Sequence, residues 1–266
     1  MKNQDLLSII VLNYNRLELT KQTIERLIET TTVRHNFIFV DNGSQDGTRE
    51  YLKSIKHSTN AESVNYVFNP SNYGVAGGRN SGLKIATGDY LMTIDDDILV
   101  PEHYDKHLIE VCDNIKDIGI TGICVEKIKR TSIQSIDGID VRVKSGNLGG
   151  ACLCMPRKTF NKVGYFRPDF IYGIEDVDLH IRLSVLKLRS VYILPLGKHI
   201  DKRKNKVYEK LKKSVYNKRS RVFAKIGENE IAYKKTKNVY VPYIIPKTSS
   251  RKFDKAIKNG IKKKPK

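Results

Sequence analysis

The sequence predicts an α/β fold, a single domain with a mostly parallel central sheet, followed by a basic C-terminal extension. Three observations carry that prediction. Residues 1–97 alternate strand-like and helix-like segments, and a βα repeat folds into a parallel sheet flanked by helices. Polar or glycine-rich residues follow each strand-like run: Asn13-Tyr14-Asn15, Asp41-Asn42-Gly43, Asn69–Gly78 and Asp95–Asp97. Open α/β sheets bind ligands at the carboxyl ends of their strands, so four candidate ligand loops fall along one edge. Beyond residue 101 the regular alternation stops and mixed strands follow, which suggests an antiparallel addition.

In order, Ser8–Leu12 is a continuous apolar strand, and Leu17 to Ile28 carries apolar residues at 17, 24, 27 and 28, the spacing of an amphipathic helix. Asn36–Val40 is a second strand. The Asp46-Gly47-Thr48 turn opens a helix through Ile55, Val64–Phe68 is a third strand, Gly77–Thr87 a helix and Tyr90–Ile94 a fourth strand. A helix follows Pro101. Strand-like pieces at 118–125, 133–136 and 147–155 precede a helix from Pro156 to Val163, with proline at its start. An aromatic loop (Tyr165 to Tyr172), a helix from Glu175 to Leu188 and a strand at Val191–Leu194 complete this part. Further on, Val207, Leu211, Val215 and Val222 have roughly helical spacing, Asn238–Ile245 reads as extended, and the lysine-rich end reads as disordered.

The net charge of +19 is confined to one part of the chain. Residues 1–199 hold 25 Lys+Arg against 24 Asp+Glu, whereas residues 200–266 hold 23 against 5. The expected organisation is therefore a near-neutral domain over 1–199, with halves at 1–97 and 98–199, and a basic extension over 200–266. No run of 18 apolar residues occurs, which excludes a transmembrane helix from the reading. The short apolar start without a small-residue cleavage site is a poor signal peptide. Cys112, Cys124, Cys152 and Cys154 lack zinc-site spacing and read as small reduced core residues of a cytoplasmic protein.

The chemistry concentrates at Asp95-Asp96-Asp97, which ends the apolar run Tyr90–Ile94. Like charges so close raise each other's pKa. A divalent cation relieves that repulsion, and carboxylate oxygens suit Mg2+ or Mn2+ that also bind substrate phosphates. A solvated acidic loop capping the next helix is the alternative. Asp41, after its strand, can accept hydrogen bonds from a base N–H or ribose hydroxyls; turn formation or capping is the alternative and is the reading favoured for Asp46. Asn72–Asn80 holds three glycines, Gly78 among them, which allow close backbone approach to a ligand. Arg79 offers a planar fork for a diphosphate or base carbonyl. Glu175-Asp176 opens a helix, where acids also serve as N-terminal caps.

Six segments together resemble the family-2 glycosyltransferases of GT-A (Rossmann-like) fold: Ser8–Asn15, 40–48, 72–80, the triple Asp, Gly149–Phe166 and Gly173–Leu179. The resemblance covers about residues 7–199. It implies nucleotide-sugar contacts from Asn13, Asp41, Asn72, Gly78, Arg79, Asp95 and Asp96. It implies Asp97 and Asp95 as metal ligands, with His199 as a further ligand, although a lone histidine also serves structurally. Mn2+ or Mg2+ is the implied cofactor, and imidazole beside carboxylate favours Mn2+. Asp176 is the implied general base, Glu175 the second choice, and Asp178 a support of the helix end. Gly164-Tyr165-Phe166-Arg167-Pro168 departs from the family's Gly-Gly-Phe-Asp-Glu, and Arg167 in place of an acid favours an anionic acceptor.

The expected activity is metal-dependent, inverting transfer from a UDP- or dTDP-sugar. The basic extension implies a polyanionic partner: DNA bearing a hydroxylated base, bound through phosphates, or an anionic membrane with a lipid-diphosphate acceptor. A non-catalytic nucleic-acid-binding protein on a transferase-like core is the rival reading.

Overall fold

The computed structural model describes residues 5–55, 60–125, 131–144, 147–167, 175–201, 230–236 and 239–245, the last two by backbone alone. Contacts divide the chain into Met1–Lys202 and Arg203–Lys266, and each unit is described by itself.

In the first unit the βα alternation runs β1 (Leu7–Asn13), α1 (Leu17–Thr30), β2 (His35–Asp41), α2 (Thr48–Ser54), β3 (Ser63–Phe68), α3 (Gly74–Leu83) and β4 (Tyr90–Asp95). Then come β5 (Ile98–Leu99), α4 (Tyr104–Asn114), β6 (Ile118–Cys124), β7 (Thr131–Ile136), β8 (Ile139–Lys144) and β9 (Cys152–Pro156). Next are α5 (Arg157–Val163), α6 (Glu175–Val185), β10 (Arg189–Leu196) and β11 (Lys198–His199). Nine strands form one sheet in the order β3-β2-β1-β4-β9-β6-β10-β8-β7. Only β9 and β8 run against the rest, so the sheet is mostly parallel, with the antiparallel additions in the second half.

Helices cover both faces, which is why β1 is apolar without alternation. Ile9 and Val11 pack with Ile24, Leu27, Leu52 and Leu108 of α1, α2 and α4. Ile10 and Leu12 point the other way, onto Ala76, Leu83, Phe160 and Leu179 of α3, α5 and α6. The four cysteines are buried and free within these two layers.

Three expectations shift. The third helix begins at Gly74 and ends at Leu83 rather than spanning 77–87. The strand expected over 147–155 is confined to Cys152–Pro156. The piece at 133–136 belongs to a hairpin, and its partner β8 was missed. The hairpin turns at Asp137-Gly138, both at positive φ (51° and 83°), the conformation that a two-residue Asp-Gly turn needs.

In the second unit, β12 (Glu230–Thr236) pairs antiparallel with β13 (Val239–Ile245). The second strand lies in the segment read as extended. The helix expected over 207–222 lies outside the described residues. Among the described residues no helix is long and apolar enough to cross a membrane.

Candidate active site

Parallel pairing sets the strand ends side by side. Asn13 is in register with Asp41, Asp41 with Phe68, and Leu12 with Asp95. The loops after β1, β2, β3 and β4 therefore share one edge, and the sequence-named residues gather there.

The loops after β2 and β3 are knotted by asparagines. Asn42 Nδ2 donates to Asn72 Oδ1 at 2.9 Å, while Asn42 Oδ1 accepts from Asn69 Nδ2 at 3.0 Å and from Tyr73 N–H at 3.1 Å. Asn72 Oδ1 also accepts the Gly74 N–H at 2.8 Å, so Asn72 shapes the entry to α3. Asp41 is closed off from solvent. Its carboxylate accepts from Ser44 N–H at 3.0 Å and Arg49 Nε at 2.8 Å. In this arrangement it organises its loop instead of presenting oxygens to a base. Asp46 spans two helix starts, accepting from Leu17 N–H at 2.9 Å and from Thr48 Oγ1 at 2.6 Å. Those bonds outweigh burial and hold its pKa below the usual value.

Asn13 and Gly78 also serve the fold here. Asn13 is buried and donates to Val40 O at 3.1 Å. A Cβ on Gly78 would meet Leu12 Cδ1 at 2.4 Å and Asn42 Nδ2 at 3.2 Å. Glycine at 78 thus lets α3 lie close against β1.

The three aspartates part company. Asp95 points toward Arg79 and keeps 29% of its side chain exposed. Asp96 turns inward, wholly buried, and accepts from Tyr14 N–H at 3.1 Å, from Thr20 Oγ1 at 3.4 Å and from Arg16 Nη2. The expectation places Asp96 toward the sugar; here its oxygens anchor the loop after β1. Burial pushes its pKa up to about 7, against the opposing pull of Arg16.

Asp97 Oδ2 lies 2.6 Å from Arg16 Nη1 and 3.3 Å from His199 Nε2. The histidine is delivered by β11, which pairs with β5 so that His199 stands opposite Ile98. Burial also raises the Asp97 pKa, with Arg16 opposing. The donor chemistry of Asp97 with His199, one carboxylate and one imidazole, suits a divalent transition ion. The expected trio of Asp95, Asp97 and His199 is reduced to this pair. Among the described residues no three His, Cys, Asp or Glu side chains gather to hold a metal, because Asp95 is drawn to Arg79.

Arg79 is likewise turned inward. It is buried, with Nη2 donating to Asp95 Oδ1 and Gly150 O, both at 2.7 Å, and Nη1 to Glu175 Oε1 at 3.2 Å. Its guanidinium also lies over the Phe166 ring, 5.5 Å from the centroid. The fork that the sequence offered to a diphosphate is spent on joining α3, β4 and α6. Glu175 is buried, and burial raises its pKa, with Arg79 opposing. Asp176, at the start of α6, is half-buried, with Oδ1 accepting the Val177 N–H at 2.8 Å. A Cβ on Gly150 would lie 3.0 Å from Arg79 Nη1 and 3.5 Å from Asp176 Cβ, so this glycine fits between them. Asp178 pairs with Arg182 at 2.7 Å, and Arg182 Nη1 reaches Val163 O; it supports the helix, as expected.

Sequence reasoning missed several supports. His180 Nε2 accepts the Leu148 N–H at 3.1 Å, its Nδ1 bonds Asp176 O at 2.7 Å, and Tyr192 Oη accepts the Gly149 N–H at 2.6 Å. These bonds hold segment 148–150 beside Asp176. Arg16 was missed as well. Its only signal was a lone cation in the loop after the first strand, and its partner Asp96 is 80 positions away.

The Glycosyl transferase family 2 profile matches residues 8–162, more than half of the chain. The chain belongs to glycosyl transferase family 2. It is 33% identical over 107 residues to validoxylamine A glucosyltransferase of Streptomyces hygroscopicus subsp. jinggangensis, covering 39% of this chain and 25% of that one. It is 24% identical over 193 residues to poly-beta-1,6-N-acetyl-D-glucosamine synthase of Staphylococcus aureus (strain COL), covering 67% of this chain and 46% of the relative. The chain thus spans about half or less of the length of these relatives. Among solved structures, the mannosyltransferase PcManGT from Pyrobaculum calidifontis, in complex with GDP-Man and Mn2+, superposes with TM-score 0.56 at 20% identity. That match covers 71% of this chain and 54% of the other, and it shows the GT-A fold.

Proposed function

We propose that this family-2 chain transfers a sugar from a nucleoside-diphosphate sugar, a UDP- or dTDP-sugar, to an acceptor hydroxyl with inversion. The observation that carries the reading is the division of carboxylates. Asp41, Asp96, Asp178 and Glu175 are buried against internal cations or N–H groups, while Asp176 is only half-buried, its Oδ1 accepting the neighbouring Val177 N–H. The donor lies across the ends of β1–β4, with Asn72 and Asp95 on its border. Tyr14 and Tyr73, 39% and 45% exposed on the loops after β1 and β3, offer flat faces to a base.

In the transfer step an acceptor oxygen attacks the anomeric carbon as Asp176 takes its proton. The new C–O bond forms as the bond to the diphosphate oxygen breaks, and the nucleoside diphosphate leaves with that electron pair. Arg79 holds Glu175, and so the start of α6, against Asp95. Asp97 and His199 would hold the divalent cation, which supplies positive charge toward the leaving diphosphate. Support for Mn2+ comes from the imidazole donor and from the ion bound by PcManGT.

The acceptor we infer is anionic, because residues 200–266 hold 23 Lys+Arg against 5 Asp+Glu. DNA and a lipid-diphosphate glycan share the phosphate chemistry that such a segment attracts.

The test is Asp176→Asn. The change is nearly isosteric and should cost on the order of 10²–10⁴ in transfer rate with UDP affinity retained. Transfer at the wild-type rate would remove Asp176 from the role. A donor panel with Mn2+, supplied with DNA or with anionic vesicles carrying a lipid diphosphate, separates the acceptors.

A further inference from the structure

Arg16 occupies the place where a metal-binding carboxylate should be free. Its Nη1 stands 2.6 Å from Asp97 Oδ2, the same oxygen that lies 3.3 Å from His199 Nε2. A cation shared by that oxygen and that nitrogen sits roughly 2.0–2.2 Å from its ligands. A guanidinium nitrogen already on the oxygen then confronts it with like charge. Arg16 Nη2 is tied to Asp96, which is wholly buried. The arginine has somewhere else to go: Nη1 also lies 3.4 Å from Asp201 Oδ2, and 27% of the Arg16 side chain is exposed.

We propose that Arg16 is a built-in counter-cation that must yield Asp97 to the metal, so that metal binding and a shift of the guanidinium from Asp97 to Asp201 are one exchange. The proposal rests on the metal reading above. It gives the triple Asp a partly compensated state without metal, since one fork bonds two of the three carboxylates and its single positive charge offsets one of them. It also links the metal to the donor loop. Arg16 is the N-cap residue of α1, and its carbonyl accepts the Leu19 and Thr20 N–H groups at 3.0 and 2.9 Å. It directly follows Asn13-Tyr14-Asn15, the loop at the end of β1. An arginine that pivots on Asp96 therefore moves beside the nucleotide edge while Tyr14 N–H remains held by Asp96.

The experiment is a Mn2+ titration of the full chain, read by the electron paramagnetic resonance signal of free Mn2+, with and without UDP. Arg16→Gln should bind Mn2+ about tenfold more tightly than wild type without UDP, within the range usual for coupled sites. Arg16→Lys, which keeps the charge but loses the two-pronged fork, should tighten it by a smaller factor. Asp201→Asn, which removes the alternative partner, should weaken Mn2+ binding. Circular dichroism checks each variant, and Arg16→Lys carries the comparison if Arg16→Gln does not fold. If the Arg16 variants bind Mn2+ no tighter than wild type while wild type with UDP still takes up Mn2+, the exchange is wrong and the metal reading stands. If no protein takes up Mn2+ with or without UDP, the metal reading fails and the exchange with it.

Discussion

Arg79 on α3 and Glu175 at the start of α6 form a buried ion pair, 3.2 Å apart, with side-chain exposures of 1% and 6%. The same guanidinium holds Asp95 at 2.7 Å. One cation thus joins the end of β4 to the helix that presents Asp176.

Removing the cation should leave two carboxylates uncompensated. Arg79→Met is expected to destabilise by about 3–5 kcal/mol, the range for breaking a buried pair. Adding Glu175→Gln should recover part of that loss, with a coupling of roughly 0.5–3 kcal/mol. Denaturant unfolding of both single variants and the double variant measures the coupling. Strict additivity would mean that the pair carries no interaction of its own.

His180 should set an acid limit. Burial lowers its pKa below 6.5, and its backbone contacts fix a neutral ring, with Nε2 accepting from Leu148 N–H and Nδ1 bound to Asp176 O. Asp176 favours the charged ring and Lys144 opposes it. For a base with a depressed folded pKa, the unfolded chain binds the extra proton. The contribution is therefore present above 6.5 and is lost as pH falls from there through the folded value. Melting temperatures of wild type and His180→Gln between pH 5 and about 8 should converge toward the acid end. Parallel curves would place the titration elsewhere.

Gly78→Ala should destabilise by about 1–3 kcal/mol, the cost of overpacking, because the new methyl would meet Leu12 Cδ1 at 2.4 Å. If glycine is there for the ligand instead, UDP affinity would fall while the unfolding midpoint stayed constant.

Polyanion binding should follow the charge of residues 200–266. Affinity of the full chain for duplex DNA or anionic vesicles is expected to fall steeply with salt, as Lys and Arg on phosphates release counterions. A chain ending at Lys202, if folded by circular dichroism, should lose that binding and keep UDP affinity. Salt-independent binding would take the basic segment out of acceptor recognition.

Strand and helix identity over residues 7–124 was largely legible, because apolar runs such as Leu7–Leu12 and the 24, 27, 28 spacing in α1 are local signals. The alignment of four polar loops on one edge was legible for the same reason: a parallel βα repeat puts every strand end on the same side. Strand β8 was not, since a half-exposed strand lacks a continuous apolar run; β9 is wholly buried, and its short extent was hidden by the apolar Leu148 and Ala151 that precede it.

The sequence by itself determined the family, the fold, the edge where the site lies and the chemical types gathered there. Only the tertiary structure decided which of those groups are open. Asp95, Asp96 and Asp97 are equivalent as letters, yet one faces Arg79, one is sealed inside and one meets both His199 and Arg16. The physical reason is that only Asp95 ends β4, whereas Asp96 and Asp97 form the turn into β5, where the backbone changes direction and aims each side chain differently. The cation that each one meets then arrives from 16 to 80 positions or more away in the chain, a distance over which no local pattern carries information.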